Sequence, residues 1–218
     1  MSEFSFLFKQ IMGGRSIARA FFNNAMRSVC VRGKIADIGA GTRPYYHQYM
    51  QKEQGAEFVN LDRLAGDETN FETDRLPYKD SSFDTVLSMN VLEHIYNHKF
   101  HFSELVRIIQ PSGKLVLFVP FLYMYHANHN DELLDCYRYT KDTLSRLSEE
   151  NGLLDIKVIP VSRAMMMASL NMVSLSIPRI IRIPLFCIFY AIDGVILRIR
   201  PNHRDLFPLG YVLEAKKL

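Results

Sequence analysis

The 218-residue sequence predicts an α/β domain, an open, doubly wound and mainly parallel sheet with helices on both faces. Three observations predict it. Short β-rich runs alternate with stretches whose apolar residues recur at helical spacing. A Gly-x-Gly turn stands at the end of the first long run, and an aspartate closes the next run roughly twenty residues on. Parallel neighbours need crossover connections, normally helical, so alternation and parallelism belong together.

The elements follow in order. Residues 4–31 read as helix, with Phe6, Phe8, Ile11, Phe21, Phe22 and Met26 on apolar faces and Gly13-Gly14 dividing it, so residues 1–32 are expected to pack on the core or to cover it as a helical lid. Residues 33–161 are the core. Runs 34–38, 57–61, 85–89, 114–119 and 155–161 read as strands, and 45–54, 101–109 and 141–151 as helices. Thr140 is the N-cap of the third helix and Gly152 its stop. In 162–206 methionine and leucine dominate, Pro178 and Pro184 interrupt, and Arg163, Arg179, Arg182, Arg198 and Arg200 punctuate, which predicts an insertion of two apolar helices. These helices pack on the body or form a homodimer face, or else lie on a membrane with arginines at headgroup level. Residues 207–218 return to a strand pattern and complete the core.

Composition excludes several classes. With 48% hydrophobic and 22% charged residues, the chain is neither disordered nor fibrous, and it can bury a core without disulfide or metal staples. Twenty-six basic against twenty-three acidic side chains are too evenly balanced for a binder that draws its affinity from phosphate neutralisation, so no nucleic-acid partner is expected. Cys30, Cys136 and Cys187 are odd in number and far apart, which fits a reducing, cytoplasmic setting. The first ten residues mix Glu3 and Lys9 among phenylalanines, unlike a secretory leader. The longest uncharged stretches, 164–178 and 183–192, fall short of the ~20 residues that cross a bilayer, so no transmembrane helix is expected.

The chemistry concentrates at Asp37-Ile38-Gly39-Ala40-Gly41-Thr42-Arg43-Pro44. Glycines at 39 and 41 allow positive φ and let a ligand approach the backbone, and Pro44 suits a first helical turn. Asp62 closes the second long strand, where doubly wound nucleotide folds place a carboxylate on ribose hydroxyls. Pro44 occupies the place of the third glycine in Gly-x-Gly-x-x-Gly, which ranks a dinucleotide such as NAD second.

Further pieces follow in order: Leu76-Pro77-Tyr78, Ser82-Phe83-Asp84, Asn90-Val91-Leu92-Glu93-His94 and Gln110-Pro111-Ser112-Gly113-Lys114. Together with the glycine turn and Asp62 they resemble the class I S-adenosylmethionine-dependent methyltransferases, specifically the type 11 methyltransferase domain, over residues 33 to about 160. The resemblance implies a Rossmann-like sheet of seven strands whose last, 210–215, is antiparallel, and S-adenosyl-L-methionine as cofactor. It implies that Asp37, Gly39, Ala40 and Gly41 line the methionine and ribose side, that Asp62 takes the ribose hydroxyls, and that either Glu72 or Asp74 meets the adenine amino group. Asn90 would present backbone near the sulfonium, with Leu92, Glu93 and His94 opening the next helix. On the residues alone, Glu93 and His94 read equally well as polar residues of a helix start, and Asp84 as the fixture of a neighbouring turn.

After the fifth run, residues 120–140 gather aromatic and polar groups at the carboxyl end of a strand, where open α/β sheets bind ligands. Phe121, Tyr123 and Tyr125 could shape an acceptor pocket, His126, His129 and Arg138 could orient its polar or anionic groups, and a histidine could take the acceptor's proton. Arg138 reads equally as a partner for Asp135. His126, His129 and Asp131 raise a metal site, but no metal is expected because no helix-borne ligand motif accompanies them. The expected function is therefore transfer of a methyl group to a small-molecule or lipid-linked acceptor, oxygen ahead of nitrogen. Its rivals are an inactive cofactor-binding or membrane-docked module and an NAD-dependent oxidoreductase. A cytoplasmic location is expected, with peripheral contact at the inner membrane face if 162–200 serves as an anchor.

Overall fold

The computed structural model describes residues 1–128, 133–174 and 176–218. Six strands form the main sheet: β2 (Lys34–Ile38), β4 (Glu57–Leu61), β5 (Phe83–Met89), β6 (Ile109–Pro120), β7 (Leu153–Val161) and β8 (Gly210–Lys217). Their spatial order is β4-β2-β5-β6-β8-β7, with β8 antiparallel to both its neighbours and the first four strands mutually parallel. Two further two-residue strands, β1 (Cys30–Val31) and β3 (Gln51–Lys52), pair with each other outside that sheet.

Alternation along the strands divides the core. On β6, Leu115 and Leu117 face one apolar cluster, with Phe102 and Leu105 of α3 (His98–Ile108) and Leu144 and Leu147 of α4 (Lys141–Glu150). Val116 and Phe118 face the other, with residues of α1 (Glu3–Met12), α2 (Ile17–Met26), α5 (Met165–Val173) and α6 (Arg179–Ile199), among them Leu7, Phe22, Met167 and Phe186. A period of two thus places a helical layer on each face. Gly13 and Gly14 separate α1 from α2, Thr140 caps α4 by accepting from the Thr143 N–H at 3.2 Å, and Gly152 at φ +71° ends it. A short α7 (His203–Leu206) leads into β8.

The expected seven strands become six. Among the described residues, the acidic segment 62–82 between β4 and β5 carries a 3-10 turn, Arg63–Ala65, and no strand, because it lacks an alternating apolar run. The expected helix over 45–54 shrinks to a 3-10 turn, Tyr45–Gln48, followed by β3. Side chains of this turn bond Asp37, and the Gln51 N–H donates to the Val29 carbonyl at 2.9 Å, drawing the chain out of helical geometry. Leu92–His94 is likewise a 3-10 turn, and α3 begins only at His98.

The insertion also differs from expectation. Pro184 does not interrupt α6, which runs 21 residues and is long and apolar enough to cross a membrane, with a mean hydropathy of 2.1 over its best window. A proline near the start of a helix forfeits a single backbone bond, and packing restores the balance. One side of α6 is tied to the body. The buried Asp193 carboxylate accepts from the backbone N–H groups of Ala164 at 3.1 Å, Met166 at 3.0 Å and Met167 at 2.9 Å, capping α5 with the charge its N-terminus favours. Arg163 lies over the Tyr190 ring at 3.4 Å and reaches Glu3 of α1 at 3.2 Å. The other side shows Ile181, Ile188, Ile192, Val195 and Ile199, spaced seven, four, three and four residues apart, as an exposed stripe.

Candidate active site

Strand register sets the site. Ile38 pairs with Leu61, Asp37 with Leu87 and Met89 with Phe118, so β2, β4 and β5 end at one edge and deliver Gly39, Asp62 and Asn90 side by side. The Gly39 N–H donates to the Leu61 carbonyl at 2.7 Å and the Asn90 N–H to the Phe118 carbonyl at 2.9 Å, holding each turn against its neighbour. Gly39, Gly41 and Asn90 all have positive φ, at +77°, +67° and +57°. A Cβ on Gly39 would stand 2.2 Å from Val91 Cγ2, so only glycine lets the turn close over β5.

Two cavities open on this edge. The larger, about 370 Å³, is walled by Gly39, Gly41, Asp62, Arg63, Asn70, Phe71, Glu72, Asn90, Val91, His94, Ile95, Leu133 and Leu134. Its size falls within the ~300–1,000 Å³ of small-molecule sites. The smaller, about 160 Å³, is walled by Ser16, Ala18, Arg19 and Phe22 of the α2 region, by Asn90, His94, Phe118 and Pro120, and by Tyr123, His126 and Leu209. Asn90 and His94 belong to both walls.

In the larger cavity, an Asp62 carboxylate oxygen accepts from the Gly41 N–H at 2.6 Å, and its backbone N–H is held by Asp67. Glu72 lines the wall while accepting from the N–H groups of Tyr96 at 2.6 Å and Asn97 at 2.7 Å, which fixes it to the start of α3. Asp74 is outside the wall. It accepts from the Asn70 N–H and the Thr73 hydroxyl, closing a turn, and those bonds lower its pKa. The loop bearing Phe71 and Glu72 is pinned by Glu104, which accepts from the Leu76 N–H at 2.9 Å and pairs with Arg107. Two residues implied to line this cavity stand behind it. Ala40 is buried off the wall, and the buried Asp37 carboxylate accepts from the Tyr46 hydroxyl at 2.6 Å and bonds His47 Nε2 at 2.5 Å, leaving Oδ1 with no partner among the described residues.

In the smaller cavity, His126 presents its ring while Nδ1 sits 3.1 Å from the Met124 carbonyl and 3.3 Å from Asp135. Arg138 reaches neither cavity. It pairs with both Asp135 oxygens and donates to the Met124 and Tyr137 carbonyls, and Asp135 in turn accepts from the His126 N–H at 3.0 Å. The Arg138 hydrogen bond holds the Asp135 carboxyl down to about 2. Arg138 therefore braces the loop that carries His126. Tyr123 lines the cavity, whereas Phe121 packs on Tyr211 and Tyr125 is exposed. His129 and Asp131 lie outside the described residues. Asp84 accepts from the Lys34 N–H at 2.8 Å and from Gln110, fixing a turn remote from both cavities.

Sequence reasoning left His94 without a role. Its Nδ1 bonds the Leu134 carbonyl, its ring meets His126 at a 4.9 Å centroid distance, and burial lowers its pKa. Beside it Glu93 is fully buried, and burial pushes its carboxyl up to about 8. Arg19 and Phe22 were also missed as wall residues, although their i, i+3 spacing places them on one face of α2. Asn171 joins lid, insertion and loop by accepting from the Ala18 N–H at 3.0 Å and donating to the Leu122 carbonyl at 3.2 Å.

Residues 36–117 match the family model of a methyltransferase domain. An uncharacterized protein of Methanocaldococcus jannaschii is 48% identical over 44 residues, which are 20% of this chain and 19% of that protein. Phosphoethanolamine N-methyltransferase 2 of Haemonchus contortus, solved with phosphomonomethylethanolamine and S-adenosylhomocysteine, superposes with a TM-score of 0.52 at 14% identity, over 90% of this chain and 52% of that one. A SAM-dependent methyltransferase of Thermotoga maritima superposes with a TM-score of 0.54 at 13% identity, over 93% and 92%. At these identities the likeness is one of fold. The chain spans about half the length of the first solved structure and about a fifth of the curated relative.

Proposed function

We propose that this chain, whose residues 36–117 match a methyltransferase-domain family model, transfers a methyl group from S-adenosylmethionine to a small or lipid-linked acceptor held in the smaller cavity. The observation that carries the reading is the common wall: donor-sized and acceptor-sized cavities meet at Asn90 and His94. S-adenosylmethionine supplies an electrophilic methyl on a sulfonium. The residues present fit it. Asp62 offers a carboxylate on the wall to a ribose diol, Phe71, Val91 and Ile95 offer apolar surface to a flat base, and Glu72 gives a carboxylate at the cavity wall. The Asp37 Oδ1 behind the glycine turn is buried and without a partner among the described residues, which leaves it an acceptor to offer an ammonium group. α2 closes the acceptor side, which excludes water and brings the nucleophile into line. His94 and His126 give the smaller cavity imidazole nitrogens suited to activating a hydroxyl, which favours oxygen over nitrogen as the methylated atom.

The acceptor's lipid linkage, and a peripheral location at the cytoplasmic membrane face, draw support from α6. Its isoleucine stripe is flanked by Arg179, Arg182, Arg198 and Arg200, a pattern suited to lying in the headgroup plane. Because Phe186 and Asp193 on its opposite side are buried in the body, the helix docks rather than spans. Calorimetry with S-adenosylmethionine, S-adenosylhomocysteine and NAD, followed by a labelled-methyl assay on lipid and small-molecule fractions, tests the chemistry. Binding of NAD alone overturns it in favour of an oxidoreductase, and cofactor binding with no label transferred to any fraction leaves an inactive module. For the membrane, Ile188→Glu with Ile192→Glu should abolish flotation with anionic vesicles while leaving S-adenosylhomocysteine binding intact. Unchanged flotation rejects docking through α6, and a concentration-dependent dimer broken by the same pair assigns the stripe to a second copy instead.

A further inference from the structure

We propose that Glu93, His94 and His126 bind a divalent first-row transition ion, Zn²⁺ or a close congener, at the wall between the two cavities. One ligand atom of each lies within 4.8 Å of the others. Two imidazole nitrogens and a carboxylate oxygen are the donor set of catalytic zinc, whose bond lengths of ~2.0–2.2 Å in tetrahedral geometry place ligand atoms about 3.3–3.6 Å apart. A closure of at most about 1.5 Å, available to the half-buried His126 on its loop, completes that geometry.

Three observations point to an ion. First, Glu93 is fully buried, and among the described residues neither of its carboxyl oxygens has a hydrogen-bond partner; His94 Nε2 is 3.7 Å from Oε1. A buried, unpartnered carboxyl is costly and implies a group that completes it. Second, Nδ1 of His94 bonds the Leu134 carbonyl and Nδ1 of His126 the Met124 carbonyl, which leaves Nε2 of each ring to an ion. Third, Asp135 stands 3.3 Å from His126 Nδ1, a carboxylate behind a ligating histidine, itself locked by Arg138.

His94 and His126 both wall the smaller cavity, so an open coordination position would face it. An ion there gives that cavity a preference for oxygen acceptors, above all a hydroxyl with a neighbouring oxygen, because coordination lowers the hydroxyl pKa. The hydroxyl proton leaves to solvent, the oxygen uses the electron pair it keeps to bond the methyl carbon, and the carbon–sulfur bond breaks with its pair staying on the sulfur of the departing S-adenosylhomocysteine. This preference rests on the proposed function, whereas ion binding does not.

Chelator-treated full-length protein titrated with Co²⁺, followed by its visible d–d bands, and with Zn²⁺ in competition, should take up about one ion per chain. His126→Ala, in a loop residue that carries no core packing, and the isosteric Glu93→Gln should each weaken uptake roughly 10–100-fold. Absence of stoichiometric uptake overturns the proposal, as does uptake unchanged in both variants. S-adenosylhomocysteine calorimetry on the ion-free protein is a separate readout: retained binding there with no ion uptake discards the metal site alone, and lost binding discards the methyltransferase reading.

Discussion

Gly39→Ala isolates the geometry on which the glycine turn depends. At φ +77° an L-residue costs about 1–2 kcal/mol. The new Cβ also meets Val91 Cγ2 at 2.2 Å and Cγ1 at 3.2 Å, whereas ordinary contact begins near 3.4 Å, so it must open a gap of more than an ångström against a buried, β-branched side chain with little freedom. Overpacking of that kind costs about 1–3 kcal/mol, and the sum is about 2–5 kcal/mol. Gly41→Ala provides the contrast. It too has positive φ, at +67°, but its Cβ meets nothing within 4 Å, so only the about 1–2 kcal/mol of backbone strain applies. Urea unfolding at constant m-value measures both, and Gly39→Ala combined with Val91→Ala should recover about 1–3 kcal/mol as a favourable coupling. Equal losses for the two glycines, or zero coupling with Val91, would refute the steric argument.

Other outcomes follow from the same geometry. Glu72→Ala should weaken S-adenosylhomocysteine binding and cost about 1 kcal/mol of stability through the lost hydrogen bonds to the Tyr96 and Asn97 N–H groups, while Asp74→Ala leaves binding unchanged; the reverse order in calorimetry would exchange their roles. Burial holds His101 down to about 4, against about 6.5 unfolded. The unfolded chain therefore binds the extra proton between those values. Stability is full above pH 6.5, falls by about 3 kcal/mol as pH drops towards 4, and loses nothing more to this residue below that. His101→Phe, which keeps the ring beside Phe71, should remove that slope, and an unchanged slope in urea midpoints between pH 7 and 4.5 would count against it.

The sheet was legible because its signals are local. The short β-rich runs 34–38 and 57–61 matched β2 and β4 residue for residue, and Thr140 and Gly152 bounded α4 through their own chemistry. The losses occurred where distant residues override local preference. No sequence window shows that Tyr46 and His47 reach back to Asp37, so a 3-10 turn was read as helix. Nor does one show that Asp193 caps α5 from 26 to 29 residues away, which helps α6 persist through Pro184. The cofactor half of the candidate site was visible as a motif, with the Glu72 and Asp74 alternatives separated only by seeing which faces the cavity. The acceptor half was not, because its wall gathers α2, the turn after β5 and the loop after β6, and meets at a histidine whose own neighbourhood reads as an ordinary helix start.

The place of β8 bears on how the chain emerges from a ribosome. Residues 210–217 are threaded between two strands made about fifty and a hundred residues earlier, pairing Leu213 with both Leu117 and Val158. Until they leave the exit tunnel, the inner margins of β6 and β7 stand open, and two rows of unsatisfied amides and carbonyls face solvent. Synthesis thus passes through a half-built intermediate with a sticky gap, a natural client for a holdase chaperone, and a stop codon before residue 210 would strand the nascent protein in that state.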